Sequence, residues 1–322
     1  MSCNLIGELF GMNGDLLERQ YRNHLSGYHS WDQRVHAENW ILFPKNMGSY
    51  IGIDEVALSK GELYTVVINK EAKGKKGSII AIIHGTDAQS VSKVLLQMTR
   101  KRRFQAREIT LDMAPNMELI AKTCFPAAKR VIDRFHVQQL AFEAVQEMRI
   151  KARWLALDRE AIDIHLAKTK GEKYIAPVFK NGDSLKQLLA RSRYLLFKKE
   201  SLWTESQKQR ADILFSEYPH IKKAYYLSMQ LGLIYHQCKF KDIALTRLAK
   251  WYDQVDKSGF LSFGTIARTI QSHYLNIINF FDRRSTNAAI ESFNAKIKAF
   301  RRVFRGVKDK AFFLFRLSNL YA

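Results

Sequence analysis

The chain has 322 residues, of which 52 are lysine or arginine and 31 are aspartate or glutamate, giving a formal net charge of +21 at pH 7. Because 47% of its residues are hydrophobic, the chain can bury a core, and its composition excludes an intrinsically disordered protein despite the charge. No run approaches the roughly 20 apolar residues of a membrane span or resembles a signal peptide, so we expect a cytoplasmic protein that binds a polyanion and no membrane.

The first predicted elements are short helices followed by strands. Residues 1–48 predict short polar helices, and Trp31 and Trp40 indicate that this segment packs against another part of the chain. Three short runs rich in isoleucine, valine and tyrosine come next, separated by turn residues: SYIGIDEVAL, ELYTVVIN and GSIIAIIHG. Strands joined by such short loops predict an antiparallel meander.

Helices and strands then alternate. A helix is predicted in TDAQSVSKVLLQMTRKRR, where Val91, Val94 and Leu95 share one face. Thr86 or Asp87 is the expected N-cap of that helix. Two further strands, EITLD and KRVID, flank the helical segment NMELIAKTCF. The order predicts an α/β fold with a mixed five-stranded sheet flanked by helices, whose parallel strands are joined by right-handed crossovers.

From about residue 134 to residue 280 the hydrophobic period is helical almost throughout, and this stretch shows no strand pattern. We interpret this block as a large helical insertion ahead of the last helix of the core. The expected domains are an N-terminal helical segment or linker (1–48), the first part of the α/β core (49–136), the helical insertion (137–280) and the completion of the core (281–322).

Two aspartates of the predicted strands are candidate catalytic residues. In the strand YIGIDEV, Ile51 and Ile53 face one side and Gly52 and Asp54 the other, and an acid in such an apolar run is costly unless it is compensated. Asp112 ends the strand ITLD. If the fourth strand lies parallel beside the first, both acids reach the same end of the sheet.

Two close carboxylates repel each other unless a cation lies between them, and carboxylate oxygens suit Mg²⁺ or Mn²⁺. Structural alternatives remain open at this point. Asp112 could cap the next helix, and Asp54 could pair with a lysine.

A basic helix near the end of the chain carries one acid near its start, in the stretch STNAAIESFNAKIKAFRRVFRG. Asn287 is the expected N-cap of this helix. Its predicted buried stripe follows spacings of 3, 4 and 3: Ile290, Phe293, Ile297 and Phe300. Glu291, Asn294 and Lys298 form a second stripe along the border of the first. Glu291 therefore lies at the edge of the core, within reach of a neighbouring sheet end.

Four stretches of the chain resemble the successive motifs of a known family: YIGIDEVALSKGELYTVVIN, ITLDMAPNM, RVIDRFHVQQL and STNAAIESFNAKIKAFRRVFRG. They resemble bacterial insertion-sequence transposases with a DDE catalytic core, most closely the ISL-three type, over roughly residues 48–320. The resemblance implies a ribonuclease H-like core with a metal-binding catalytic triad of Asp54, Asp112 and Glu291. It also implies two Mg²⁺ (or Mn²⁺) ions per active site, which support DNA strand cleavage and strand transfer with water or a 3′-hydroxyl as nucleophile.

The resemblance also implies residues that assist the triad. Lys298 matches a basic position that lies near bound DNA in DDE enzymes. The expected DNA-binding residues of this helix are Asn294, Lys298, Arg301, Arg302 and Arg305. Asp133 and His136 match an acid, two spacers and a histidine at the end of the fifth strand, and we expect them to orient the insertion or contact DNA. His136 could also be a neutral histidine bonded to a backbone group.

The expected partners are double-stranded DNA, both element ends and target, and a second copy of the chain on that DNA, near the nucleoid. Relatives usually begin with a cysteine-rich zinc-binding segment, whereas Cys3, Cys124 and Cys238 are far apart and form no CxxC pair. End recognition is then expected from a separately encoded N-terminal protein, from a longer product, or from residues 1–48 with the insertion. The alternative functions are a non-catalytic or domesticated DNA-binding protein, and a nuclease that cuts without joining.

Overall fold

The computed structural model describes residues 3–58, 61–303 and 309–322. The chain divides into two compact units. Unit 1 comprises Met1–Asp133 and Arg284–Ala322, and unit 2 comprises Arg134–Arg283.

The strands of the described residues all lie in unit 1: β1 (Trp40–Leu42), β2 (Tyr50–Ala57), β3 (Leu63–Asn69), β4 (Ile79–His84), β5 (Glu108–Leu111) and β6 (Lys129–Ile132). The α-helices of the same residues are, in chain order, α1 (Cys3–Phe10), α2 (Gly14–Gln20), α3 (Ala88–Leu95), α4 (Arg100–Arg103), α5 (Pro115–Cys124), α6 (Arg134–Thr169), α7 (Leu185–Arg191), α8 (Glu205–Glu217), α9 (Pro219–Gln237), α10 (Lys241–Ser258), α11 (Leu261–Ser272), α12 (Tyr274–Ile278), α13 (Phe280–Arg283), α14 (Ala288–Val303) and α15 (Lys310–Tyr321).

Within the described residues the strands form one mixed sheet in the order β1-β4-β3-β2-β5-β6. The pairs β1 with β4, β4 with β3 and β3 with β2 are antiparallel. The pairs β2 with β5 and β5 with β6 are parallel. The predicted antiparallel meander, β2 to β4, is therefore confirmed, and the condition that EITLD (β5) lies parallel beside SYIGIDEVAL (β2) is met.

The sheet has six strands in the part of the chain that the structure describes, so the prediction of five was wrong by one. The additional strand is β1, in which Trp40 pairs with Ile83 and Leu42 with Ala81. Three residues are too few to show a period of two in the sequence. Its formation depends on the open edge of β4 and on burial of Ile41, which are tertiary effects.

The two faces of the sheet are covered by different helices of unit 1. Helices α3 and α5 pack on one face, in an apolar cluster that includes Ile51 and Ile53. Helices α14 and α15 pack on the other face, in a cluster that includes Val66 and Ile290. Asp54 pairs with Val66 across the β2–β3 ladder. Since directly paired residues share a face, Asp54 projects on the side that α14 covers.

The segment before the sheet packs against the last helix of unit 1. The ring centroid of Tyr28 lies 5.1 Å from that of Phe312, and the ring centroid of Trp31 lies 5.3 Å from that of Phe315. Such edge-on and tilted contacts are favourable aromatic arrangements. The packing that Trp31 predicted is present.

Unit 2 consists of α6 to α13 with their connecting turns, and α6 alone runs for 36 residues. Trp251 is buried and donates its indole N–H to the carbonyl of Leu227 at 2.8 Å. Asp183 is fully buried and pairs with Arg191 and Arg210. None of the helices in the described ranges has the length and apolarity needed to cross a membrane.

Candidate active site

The two predicted aspartates lie at the same end of the sheet. Asp54 is on β2, and Asp112 follows the last residue of β5. In the parallel β2–β5 ladder Gly52 pairs with Thr110. Asp54 and Asp112 are each two residues further along, so they hold corresponding positions on neighbouring strands, where alternate residues share a face. The topology therefore brings this pair of carboxylates together.

The Asp54 carboxylate accepts hydrogen bonds from its own strand and from α14. Its Oδ1 accepts the backbone N–H of Glu55 at 2.8 Å. Its Oδ2 accepts the side-chain amide of Asn294, from α14, at 2.9 Å. Asn294 is only 6% exposed. The sequence placed Asn294 among the DNA contacts, whereas the structure directs its amide at a carboxylate inside unit 1.

Asp112 is oriented by the turn that precedes α5. Its Oδ1 accepts the backbone N–H of Ala114 at 2.9 Å. Ala114, not Asp112, is the N-cap residue of α5, and Pro115 is the first residue of that helix. The aspartate thus belongs to the approach to the helix, and the bond fixes the direction of its carboxylate.

Glu55 adds a third acid beside this pair, and sequence reasoning missed it. Burial raises the pKa of Glu55, and the nearby charges of Asp112 and Asp54 raise this pKa further. Negative charge is therefore concentrated at this end of the sheet. The Asp-Glu dipeptide in the middle of an apolar strand was the available signal.

Helix α14 begins after Asn287, where the carbonyl of Asn287 accepts the N–H groups of Ile290 and Glu291 at 2.9 Å. The predicted buried stripe is confirmed for Ile290, Phe293 and Ile297. Its last member, Phe300, is half-buried. Glu291 lies in the first turn of α14 and is exposed, three residues before the asparagine that bonds Asp54.

The start of α14 is bound by an acid from the sheet. Asp133, at the end of β6, is 2% exposed, and its Oδ2 accepts the backbone N–H of Asn287 at 2.8 Å. A carboxylate at the start of a helix satisfies an otherwise unpaired donor and suits the positive end of the helix dipole. Asn287 directly precedes the first residue of α14 and so holds the predicted N-cap position, but its side chain makes no capping bond to the described residues. Neither Nδ2 nor Oδ1 of this buried side chain has a hydrogen-bond partner among the described residues.

A half-buried lysine lies near these acids and was not singled out from the sequence. Lys70 follows β3 and donates its Nζ to the Thr110 hydroxyl at 3.4 Å. Burial lowers the pKa of Lys70, while the charges of Glu108 and Asp133 oppose that shift. A single lysine after a strand carries no pattern from which its burial near acidic side chains could be predicted.

The other predicted residues differ in exposure. Lys298 and Arg302 are exposed on α14. Arg301 is half-buried, and its guanidinium carbon lies 5.0 Å from the ring centroid of Phe313. Arg305 lies outside the described residues. His136 is half-buried in the first turn of α6, within unit 2.

The donor atoms fit the divalent ions that the sequence predicted. Asp54 and Asp112 supply carboxylate oxygens, which are the ligands that Mg²⁺ and Mn²⁺ prefer. In the part of the chain that the structure describes, no three histidine, cysteine, aspartate or glutamate side chains are grouped closely enough to hold a metal ion. The two aspartates therefore supply suitable ligands for such an ion. Glu291 lies on α14, which packs against the sheet, and does not form a three-ligand group with the two aspartates.

Comparison with known proteins identifies the class. A transposase family model of the ISL3 (ISL-three) type matches residues 51–317, which is most of the chain. This chain therefore belongs to the ISL3-like family of insertion-sequence transposases.

Two curated relatives are similar to this chain. The transposase for insertion sequence element IS1001 of Bordetella parapertussis is 23% identical over 273 residues, covering 83% of this chain and 60% of the relative. The transposase for insertion sequence element IS1557 of Mycobacterium tuberculosis (strain CDC 1551 / Oshkosh) is 25% identical over 264 residues, covering 80% of this chain and 57% of the relative. The chain thus spans about three-fifths of the length of these relatives. No solved structure shows a significant match.

Proposed function

We propose that this chain is a DNA transposase that cuts DNA at the ends of an insertion sequence and joins those ends to target DNA by metal-dependent phosphoryl transfer. The observation that carries the proposal is the pair Asp54 and Asp112, at corresponding positions on adjacent parallel strands, with the Glu291 helix packed on the face of Asp54. Membership of the transposase family supports it.

The proposed fold of the core is ribonuclease H-like. An antiparallel meander, β2 to β4, continues into the parallel strands β5 and β6, and helices cover both faces. This arrangement supports the proposal because β2 and β5 are parallel neighbours, so the carboxyl ends of these two strands lie at the same edge of the sheet.

The proposed catalytic residues and metal ligands are Asp54, Asp112 and Glu291, with two Mg²⁺ (or Mn²⁺) ions per site. When bound, such ions supply charge stabilisation and an activated water or 3′-hydroxyl for in-line displacement at phosphorus. The protein's own contribution is to hold the ligands in place beforehand. The N–H groups of Glu55 and Ala114 fix one oxygen of each aspartate, so little reorganisation accompanies the reaction.

The proposed DNA-binding residues include Lys298 and Arg302, which follow Glu291 by 7 and 11 residues. At about 1.5 Å per residue, they lie roughly 10 and 17 Å further along the helix, so the backbone of a DNA strand held at Glu291 passes them. Both side chains are exposed and free of the packing that engages Arg301. Their charge contributes the salt-sensitive part of the binding free energy.

The proposed supporting residues are Asp133 and His136. For Asp133 the support is its bond to the first turn of the Glu291 helix. For His136, at the start of α6, we propose that it orients the helical insertion. We also propose that two copies of the chain assemble on DNA, because two element ends must be joined in one reaction.

A strand-transfer assay tests this function. The purified chain is incubated with Mg²⁺, target DNA and DNA carrying the terminal inverted repeats that flank its gene. We expect joined products from the parent chain and none above background from Glu291→Gln or Asp54→Asn. Ser292→Ala is the matched control, because Ser292 is an exposed neighbour on the same helix.

Two results would contradict the proposal. Joining at the parent rate by Glu291→Gln would remove Glu291 from the site. DNA binding by the parent chain, without cleavage at any Mg²⁺ or Mn²⁺ concentration tested, would favour a non-catalytic DNA-binding protein.

A further inference from the structure

The helix that carries Glu291 is tied to the sheet by polar contacts on both sides of that residue. Four residues before Glu291, the N–H of Asn287 is bound by Asp133. Three residues after it, the amide of Asn294 is bonded to Asp54. Between these contacts, Ile290 packs on β2 so closely that a Cβ added to Gly52 would lie 3.4 Å from the Ile290 Cβ.

We propose that Asn294 is a positioning residue of the active site, whose amide holds the Asp54 carboxylate and fixes the rotation of α14 so that Glu291 faces Asp54 and Asp112. The inference rests on the proposed function. It goes beyond that function because it gives Asn294 a role toward Asp54 in place of a role toward DNA.

The donor that α14 presents to Asp54 at position 294 is uncharged. Helix α14 carries four exposed or half-buried cations, which are Lys296, Lys298, Arg301 and Arg302. The side chain of Asn294, which donates to Asp54, is nevertheless a neutral amide. A lysine or arginine there would neutralise the carboxylate and compete with a metal ion. An amide orients the carboxylate and leaves it anionic, with further lone pairs for a cation.

The rotation of α14 about its own axis decides where Glu291 lies. A slip by one residue turns an α-helix by about 100° and moves it by about 1.5 Å, which would change the position of Glu291 relative to Asp54 and Asp112. The apolar stripe of α14 sets the buried side but tolerates small rotations, since apolar packing is not directional. A bond of 2.9 Å to a fixed strand residue is directional.

The oxygen of the same amide is also buried. The Oδ1 of Asn294 has no hydrogen-bond partner among the described residues. A leucine would fill a similar volume without leaving a buried acceptor, so a purely packing role does not explain an asparagine here. An acceptor beside Asp54 is satisfied when a donor, such as a water molecule held by a cation, enters the site.

The test compares two variants of the full chain. Asn294→Leu keeps the approximate shape and removes the donor, and Asn294→Gln keeps the amide on a longer side chain. Strand transfer is measured at saturating DNA over a series of Mg²⁺ concentrations, DNA affinity is measured separately, and the melting temperature is recorded for each variant.

For Asn294→Leu we expect kcat to fall by roughly 10- to 100-fold and the half-saturating Mg²⁺ concentration to rise, as for other residues that orient metal ligands. DNA affinity is expected to stay within about twofold, because an uncharged buried side chain adds nothing to the salt-sensitive term. Asn294→Gln is expected to recover part of kcat.

Several outcomes would overturn the inference. Unchanged kcat and Mg²⁺ dependence in Asn294→Leu would do so, as would a loss confined to DNA affinity. A loss that follows the fall in melting temperature and disappears at a lower assay temperature would show a structural role alone. If Glu291→Gln remains active, the proposed function itself fails, whereas an inactive Glu291→Gln with a fully active Asn294→Leu removes only the role of Asn294.

A measurement on the parent chain covers the case in which both variants fail to fold. The side-chain amide resonances of Asn294 are followed by NMR during titration with Mg²⁺. We expect them to shift with the same midpoint as metal binding measured by calorimetry. Resonances that stay fixed while the metal binds would contradict the inference.

Discussion

The buried Oδ2 of Asp133 accepts the backbone N–H of Asn287 at 2.8 Å, which joins the end of β6 to the start of α14 across 154 residues of sequence. The bond satisfies one of the donors that every helix leaves unpaired at its start. Because α14 also carries Glu291, this bond helps to set the position of a proposed catalytic residue.

Removing this acceptor is expected to weaken both the fold and the reaction. Asp133→Ala leaves a buried N–H without its partner and is expected to lower the free energy of unfolding by about 1–3 kcal/mol. Asp133→Asn keeps an acceptor oxygen and is expected to lose less. Urea denaturation measures the difference, with the exposed Asp158→Ala of α6 as control. Equal stabilities of Asp133→Ala and the parent chain would contradict this account of the bond.

The cations of α14 are expected to differ in their effect on DNA binding. Lys298→Ala and Arg302→Ala are each expected to reduce the slope of log affinity against log salt by about one unit. Lys296→Ala is the matched control on the same helix, because Lys296 donates to the carbonyl of Gly74 at 2.9 Å. Fluorescence anisotropy at several salt concentrations gives the slopes. The same change in slope for all three variants would show that position on the helix does not matter.

Gly52 is expected to be sensitive to size because of its neighbours. An added Cβ would lie 3.4 Å from both the Ile290 Cβ and the Thr110 hydroxyl oxygen. Gly52→Ala therefore fits closely, whereas Gly52→Val overpacks the contact and is expected to cost about 1–3 kcal/mol of stability. Because the overpacking moves α14 from β2, we also expect Gly52→Val to reduce strand transfer more than Gly52→Ala. The reverse order of activities would contradict the close packing of α14 on β2.

Unit 2 is expected to lose stability in acid through Asp183. Burial alone would raise the pKa of Asp183, but hydrogen bonds and charge from Arg210 and Arg191 lower this pKa below its usual value of 3.8. A folded pKa below the unfolded pKa means that the unfolded chain binds more protons in this window. The stabilisation is thus fully present above the unfolded pKa and is lost as the pH falls through the folded one.

Asp183→Asn removes that charge and is expected to reduce stability at pH 7 by about 1–3 kcal/mol. It is also expected to flatten the decline of stability below pH 4. Urea denaturation of both proteins between pH 7 and pH 3 measures the effect. Parallel pH profiles for the parent chain and Asp183→Asn would be inconsistent with a charged Asp183 in the folded state.

Much of the sheet could be predicted because its local patterns are strong. The strands β2, β3 and β4 are largely apolar runs bounded by turn residues, and helices α3 and α5 have clear apolar faces. Helix α14 was recognisable from the spacing of Ile290, Phe293 and Ile297. By contrast, β1 has three residues, and its pairing with β4 has no local signal.

The site was predictable only in part. The residues alone indicated Asp54 and Asp112 as a possible pair, but left a capping aspartate and an ion pair with lysine as alternatives, and family resemblance supplied Glu291 as the third member. The bond between Asn294 and Asp54 joins residues 240 positions apart. Periodicity cannot specify such a contact, because it reports which face of an element is apolar and not which polar groups meet across the core. For the same reason, the contacts of Lys70 and Asp133 could not be predicted from the sequence.

The most direct test of the account is the position of Mn²⁺ in crystals of the chain with DNA of its element ends, located by anomalous scattering. We predict Mn²⁺ at about 2.1 Å from carboxylate oxygens of Asp54 and Asp112, with Glu291 completing the protein ligands. Mn²⁺ bound elsewhere, with no contact to either aspartate, would contradict the central claim.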